Sequence, residues 1–211
     1  MILPTPIPWK RFSLRSLFVL MTLCCFVFGL WSVYVNPYRL QLQSLAAVNR
    51  VNGQSTPAPA EGPPWQRWLV TTLLGNDAFV RITEVNLANR RPVGDDVLRS
   101  LTGLRSLEQL TLDYTQITDD GLASLQSLHA LHDLSLRYTN VSDRGARYLS
   151  TLPNLQHLTL TGTKISDAGA DELARLKQMQ SMYIRWTRIS DNGAERLRQA
   201  LPECKVFHNA L

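Results

Sequence analysis

Between Leu107 and Leu201 the apolar positions first alternate with polar ones and then switch to helical spacing, and the cycle repeats every 24 residues. Leu110, Leu134, Leu158 and Met182 share one slot, and Leu112, Leu136, Leu160 and Ile184 share another. Thr115, Thr139, Thr163 and Thr187 follow, then Ile117, Val141, Ile165 and Ile189. Asp119, Asp143, Asp167 and Asp191 recur, as do Gly121, Gly145, Gly169 and Gly193, and Leu125, Leu149, Leu173 and Leu197 close each unit. The L-x-x-L-x-L segment predicts a short strand with one face inward. The Thr hydroxyl is placed to satisfy backbone groups as the chain leaves the strand. Thr or Ser followed by Asp predicts a helix start, the short polar side chain accepting from a first-turn N–H. The Leu125 and Leu128 slots, three apart, fall on one helical face. One unit cannot bury its own apolar face, whereas stacked neighbours can. The pattern therefore predicts an α/β solenoid of parallel strands and helices.

The phase decays at both ends. Ile82, Val85 and Leu87 read as a degenerate first strand, followed by a loop with one extra residue near Asn89-Arg90-Arg91-Pro92. Trp65 to Leu74 reads as a helix with Trp65, Trp68, Leu69, Thr72 and Leu73 on one face and Gly75 placed to end it. Its expected role is to cover the open end of the first repeat. Ala200-Leu201-Pro202 slips the phase by one, and Cys204 to Phe207 reads as a closing half-strand.

Ahead of the repeats, Ser16 to Val35 carries no charge, and Lys10, Arg11 and Arg15 precede it. Twenty helical residues span about 30 Å, the hydrocarbon thickness. Trp31 and Tyr34 stand near the far end, where amphipathic rings favour the interface. A cleaved signal peptide would have a shorter apolar run and a small-residue cleavage site, and a lipoprotein signal would have a small residue ahead of Cys24 or Cys25. The expectation is one uncleaved transmembrane signal-anchor helix, with the N-terminus cytoplasmic and the repeats outside. The organisation then reads as a basic tail over 1–15, the anchor over 16–35, a connector over 36–64, a capping helix region over 65–81, and repeats with a closing strand over 82–211. Within the connector, Tyr38 to Val51 suggests a short amphipathic helix through Leu40, Leu42, Leu45 and Val48, and NGQSTPAPAEGPP reads as a flexible tether.

Composition changes little. The chain is 45% apolar and 18% charged, as fits a folded domain plus something more hydrophobic. Three of its 22 basic residues precede residue 16 and all 17 acidic ones follow residue 60, so the rest is close to neutral and argues for no nucleic acid. His129, His132, His157 and His208 have no partner at metal-ligand spacing, so neither a metal, a cofactor nor a catalytic set is expected. His132 and Asp133 are adjacent, which on a strand points them to opposite faces. The repeated Asp reads as a helix-start residue rather than a calcium ladder. Asn140-Val141-Ser142 is a formal glycosylation sequon inside the repeat skeleton and reads as coincidence. Cys204 lacks a partner outside the apolar segment, so no disulfide is expected.

On these residues the repeats resemble leucine-rich repeats of the T-x-I-(T/S)-D-x-G type. The arrangement of basic patch, span and linker, with Pro64, Trp65, Leu69, Leu74, Gly75 and Asp77 before the repeats and Leu201, Pro202, Cys204 and Lys205 after them, is similar to small bacterial membrane-anchored leucine-rich repeat proteins. The resemblance implies a protein-binding surface, and the residues themselves assemble no clustered polar site that would suggest an enzyme or a small-molecule substrate. Similar repeats occur in F-box adaptors of ubiquitin ligases, but an apolar span stands here where an F-box would be.

What remains for function is the outward face of the strands. The candidate partner-binding residues are Asp113, Tyr114, Asp133, Arg137, Tyr138, His157, Tyr183, Arg185 and Trp186. Tyr, Trp and Arg dominate interaction hot spots. Tyr114 and Tyr138 are expected to stack, with Tyr183, Arg185 and Trp186 as a second cluster. The competing readings are aromatics that only protect the stack, and a structural spacer of the cell envelope without a specific partner.

Overall fold

The computed structural model describes residues 14–74, 80–90 and 93–208. Among them, strands β2 (Val80–Asn86), β3 (Gln109–Thr111), β4 (Asp133–Ser135), β5 (His157–Thr159), β6 (Ser181–Tyr183) and β7 (Lys205–Phe207) follow one another in parallel across one sheet. The register is the repeat itself: Leu110 lies opposite Leu134, Leu134 opposite Leu158, Leu158 opposite Met182, and Met182 opposite Val206. Val85 pairs with Leu110, one residue more than a full repeat, which absorbs the extra loop residue. Arg91 and Pro92 of that loop lie outside the described residues.

Behind the sheet run short helices, α4 (Asp95–Ser100), α5 (Asp119–Leu122), α6 (Asp143–Leu149), α7 (Asp167–Leu173) and α8 (Asp191–Ala200). The repeated Leu, Ile and Val side chains between the two layers form one continuous buried cluster from Val48 to Cys204. Burial pushes the Cys204 thiol up to about 11, so it stays protonated at neutral pH. At each strand exit the Thr hydroxyl donates to the carbonyl three residues back, Thr115 to Leu112 at 2.6 Å, Thr139 to Leu136 at 2.8 Å and Thr163 to Leu160 at 2.7 Å. A buried hydroxyl is thereby satisfied without help from a neighbouring repeat.

The Asp and Gly slots have a different logic from simple helix starting. The Asp at the first position of each of α4 to α7 reaches forward into the next repeat and accepts two hydrogen bonds from the residue preceding that repeat's helix. Asp95 takes the N–H and hydroxyl of Thr118 at 2.9 and 2.6 Å, and Asp119 those of Ser142 at 2.8 and 2.5 Å. Asp143 takes those of Ser166 at 2.7 and 2.6 Å, and Asp167 those of Ser190, both at 2.7 Å. The hydroxyls of Thr118, Ser142 and Ser166 therefore do not cap their own helices as the sequence suggests, and only Ser190 also accepts from its helix, from Gly193 N–H. Helix α7 is instead capped from behind, Gly169 N–H donating to Asp143 at 3.1 Å. A Cβ at Gly169 would lie 2.5 Å from Asp143 Oδ1, and one at Gly193 2.2 Å from Asp167 Oδ1, so glycine holds the slot open for the carboxylate.

The ladder gives a pH prediction. The Ser190 hydroxyl, then the Ser190 N–H, hold the Asp167 carboxyl below its ordinary 3.8. A folded-state value below the unfolded one contributes stability above the unfolded value and loses it as pH falls through the folded one. The urea midpoint is expected to fall below about pH 4. Asp167→Asn should flatten part of that slope, and an unchanged slope would refute this role for Asp167.

The N-terminal end departs from a tethered module. Helix α1 (Leu14–Leu30) runs into a π-helical turn, Trp31–Val35, and on into α2 (Asn36–Arg50). The turn closes with Asn36 N–H donating to the Trp31 carbonyl just ahead of Pro37, whose missing N–H disrupts the α-helical ladder. Of the expected span over 16–35, α1 covers the part to Leu30, and among the described residues no helix is long and apolar enough to cross a membrane. Most of the basic tail, Lys10 and Arg11 included, lies outside the described residues.

Helix α2 lies on the end of the first repeat with Gln41, Ser44 and Val48 buried and Leu45 packed on the core, while of the expected face Leu42 turns to Val70 instead and Leu40 is exposed. A Cβ at Gly103 would come 2.6 Å from the Leu40 carbonyl oxygen, and the glycine permits this close approach. The supposed flexible tether is strand β1 (Gln54–Pro59), antiparallel to β2 with an irregularity between Thr56 and Pro57. Its prolines lack ladder N–H groups, and an edge strand with a bulge is where a sheet tolerates them. Helix α3 (Pro64–Leu74) does not cover the repeats. It buries Val70 against Tyr38, Leu42 and Ala60 on the outside of α2. Gly75 and Asp77, expected to end it, lie outside the described residues.

Candidate functional site

Strand alternation turns Gln109, Thr111 and Asp113 and their counterparts in the later repeats toward the open face of the sheet, opposite the buried leucines. The nine candidate residues do not form one site there: eight separate into four groups and Arg185 stands outside them.

Asp113 is occupied by the neighbouring repeat. Its Oδ1 accepts from the Ser135 hydroxyl at 2.6 Å and from Arg137 N–H at 3.0 Å, and Arg137 Nε stands 3.8 Å from its other oxygen. This pair stitches repeats as the helix-side Asp ladder does.

Asp133 and His157 belong to a polar chain across the strands. Ser181 Oγ lies 2.8 Å from His157 Nδ1, and His157 Nε2 lies 3.9 Å from Asp133 Oδ1. The other Asp133 oxygen is 3.3 Å from His132 Nδ1, and His132 Nε2 is 3.6 Å from Glu108. His132 precedes the strand proper, so it is not held to the opposite face and turns back to its neighbour. A serine, an imidazole and a carboxylate thus stand in line, but 3.9 Å is beyond a hydrogen bond. In a serine–histidine–aspartate triad the carboxylate bonds the imidazole directly and holds its tautomer. Among the described residues, no group of three His, Cys, Asp or Glu side chains is arranged to hold a metal. The floor of the face is a shallow depression of about 180 Å³ lined by residues such as Thr111, Ser135, His157 and Tyr183. Sites that bury small molecules run from about 300 Å³ upward.

The third group is a row of aromatics. Tyr114 and Tyr138 stack with centroids 4.8 Å apart and planes 19° apart. Trp186 leans back to Tyr138 at 6.2 Å, across Gly162. A Cβ at Gly162 would lie 2.4 Å from the Tyr138 ring, so glycine in that repeat makes room for the ring. All four residues occupy one repeat slot with left-handed backbone: φ is +58° at Tyr114, +52° at Tyr138, +73° at Gly162 and +54° at Trp186. For a bulky side chain this conformation is a genuine outlier. The three rings are nonetheless exposed.

The fourth pair is Tyr183 on Phe207, with centroids 4.5 Å and planes 9° apart. The expected cluster of Tyr183, Arg185 and Trp186 is therefore divided. Tyr183 stays on the strand face beside the closing strand, and Trp186 belongs to the strand-exit row. Arg185 is exposed between them. Phe207 occupies the slot of Tyr183 one period on, so the pairing could be found by extending the repeat register past the phase slip. Glu108 lies one period before His132, so the same register also brings that pair together.

The leucine-rich repeat family model matches residues 103–125 and 151–174. Among solved structures, a leucine-rich repeat protein of Leptospira interrogans is similar at 26% identity and a TM-score of 0.42, over 51% of this chain and 27% of that one. The leucine-rich repeat ectodomain of the receptor kinase SOBIR1 from Arabidopsis thaliana is similar at 15% identity and a TM-score of 0.47, over 79% of this chain and 92% of that one. No curated protein matches. With the family model on two units and one strand, turn and helix pattern kept in phase from β3 to β7, the chain carries leucine-rich repeats.

Proposed function

We propose that this chain is a membrane-anchored module that binds another protein through the strand-exit aromatics of its repeats, with the N-terminus cytoplasmic and the repeats outside. The observation that carries the binding reading is Tyr114, Tyr138 and Trp186 in a slot that Gly162 shows to be open to glycine. A left-handed backbone costs about 1–2 kcal/mol for a residue with a Cβ. Folding alone gains little from rings left exposed there, whereas a partner gains rigid anchors of the types that dominate hot spots.

The anchoring reading rests on the uncharged segment 16–35. In α1 and the turn after it, Met21, Phe26, Val27, Phe28 and Val33 are all exposed, on no single face. A helix apolar all round needs an apolar surrounding. Continuing α1 through the π turn gives twenty uncharged residues and about 30 Å. The resemblance to small bacterial membrane-anchored proteins points the same way.

The spacer reading is favoured by the stacks of Tyr114 on Tyr138 and Tyr183 on Phe207, which tie repeat to repeat without any partner. One variant separates the two readings. Changing Tyr114, Tyr138 and Trp186 together to Gly relieves left-handed strain while losing ring contacts worth about 0.5–1.5 kcal/mol a pair, so stability should shift by no more than about 2 kcal/mol. Affinity capture with the full chain from detergent-solubilised membranes should then lose a specific protein that the unaltered chain retains. If the altered and unaltered chains retain the same proteins, the binding reading fails and the spacer stands.

A further inference from the structure

Helix α3 keeps its apolar stripe pointed away from the protein. Trp65 is 48% exposed, Trp68 67% and Leu73 50%, and half-buried Leu69 lies between them on the same side. The inward side is already occupied: Val70 is sealed by Tyr38, Leu42, Ala60 and Leu74, and Gln66 reaches the Tyr38 hydroxyl at 3.5 Å. The polar flank is Arg67 and Thr71, and the Thr71 hydroxyl returns to the Arg67 carbonyl at 2.9 Å. The stripe is therefore not a misplaced core face. It is a third side of the helix, with no described element against Trp68.

Its location indicates what covers it. Trp65 packs edge-to-face on Tyr34 at 4.9 Å, and Tyr34 lies in the π-helical turn at the end of the uncharged segment. Where that segment leaves a bilayer, α3 stands beside it at headgroup depth. Tryptophan favours that depth, and a short helix with one apolar side and one polar side lies flat there.

We propose that α3 is an interfacial helix whose Trp65, Trp68 and Leu73 side sits in the headgroup layer of the membrane entered by residues 16–35. The repeat module is then docked on the bilayer at two points instead of standing off it. This rests on the anchoring reading above, and the test separates the two.

Three full-chain variants, each keeping one tryptophan (Trp31, Trp68 or Trp186) and carrying Phe at the other four, are reconstituted in phosphatidylcholine vesicles. Emission is quenched by bromine on the lipid acyl chains or by aqueous iodide. Trp31 and Trp68 should lose the larger part of their emission to bromolipid and little to iodide, and Trp186 the reverse. If Trp31 is quenched by bromolipid but Trp68 responds to iodide as Trp186 does, the anchor stands and the interfacial helix is overturned. If neither is quenched by bromolipid, both are overturned. Trp68 shielded from both quenchers overturns the proposal in favour of a contact with a second copy of the chain. Should a multiply substituted chain not fold, Trp68→Phe in the unaltered chain gives the same answer, through the loss of bromolipid-quenched emission it causes.

Discussion

Asp143→Ala is expected to lower the unfolding free energy by about 3 kcal/mol, and Asp191→Ala by less than about 1 kcal/mol, although both sit in the same repeat slot. Asp143 accepts three hydrogen bonds from the following repeat, from Ser166 N–H, the Ser166 hydroxyl and Gly169 N–H, at 2.7, 2.6 and 3.1 Å. Hydrogen bonds to a charged group contribute about 1.5–3 kcal/mol each, but water reaches this half-buried site and replaces part of what is lost, so the sum is well below three full bonds. Among the described residues Asp191 reaches no later ladder position, and its exposed carboxylate faces His208 Nδ1 at 3.3 Å. Exposed pairs of that kind contribute about 1 kcal/mol at most. Asp143→Asn should recover part of the loss, because an amide oxygen still accepts from the two N–H groups and the Ser166 hydroxyl can turn to accept. Because a solenoid is held by nearest-neighbour interfaces, the Ala change should also loosen the coupling between the two halves. Urea unfolding of the full chain in mild detergent, followed by circular dichroism, measures all three variants. Equal losses for Asp143→Ala and Asp191→Ala would mean that the aspartates act only within their own helices.

That contrast also marks how far the sequence could be read. The strand pattern, the buried Leu slots and the 24-residue register are legible because burial repeats with the period, and the sheet pairs Leu110, Leu134, Leu158, Met182 and Val206 in that phase. The recurrence of Asp and Gly was visible too, but its meaning was not. A carboxylate at a helix start looks the same in sequence whether it serves its own helix or the next one, and only the stacking distance decides. On the strand face, the contact of Tyr114 with Tyr138 follows from their shared slot, whereas the lean of Trp186 across Gly162 depends on the left-handed backbone at that slot. Residues 52–64 are the least legible stretch. A Pro- and Ser-rich composition resembles a tether, yet β1 needs only an edge to pair with, and β2 provides one. The apolar face of α3 was legible from spacing, but sequence does not say whether such a face turns to a core or to lipid.

The N-terminal end supplies the second large effect. A fragment of residues 36–208 should fold cooperatively as a soluble monomer, whereas residues 60–208 should lose on the order of 5 kcal/mol and become prone to aggregate. The shorter fragment lacks both α2 and β1. Val48 is fully buried in the repeat core, with Leu45 and Val51 packed beside it, and a buried Val alone contributes about 1.5–3 kcal/mol. Gln41 Nε2 donates to the Val80 carbonyl at 2.6 Å, a bond that fixes α2 on the start of β2. Strand β1 covers β2 from Val80 to Asn86, and its removal leaves that edge bare beside Val85 and Leu87. An exposed edge flanked by apolar side chains is a template for association. A loss of this size is comparable to the whole stability of a small domain, which is about 5–15 kcal/mol. Size-exclusion chromatography with urea denaturation checks the pair. If residues 60–208 elute as a monomer and unfold at the midpoint of residues 36–208, then α2 and β1 do not cap the solenoid, and the segment is a tether after all. If the shorter fragment fails and the longer one holds, the helical run that leaves the uncharged segment is itself the first layer of the repeat domain. The uncharged segment and the strand face are then coupled through continuous backbone and shared core.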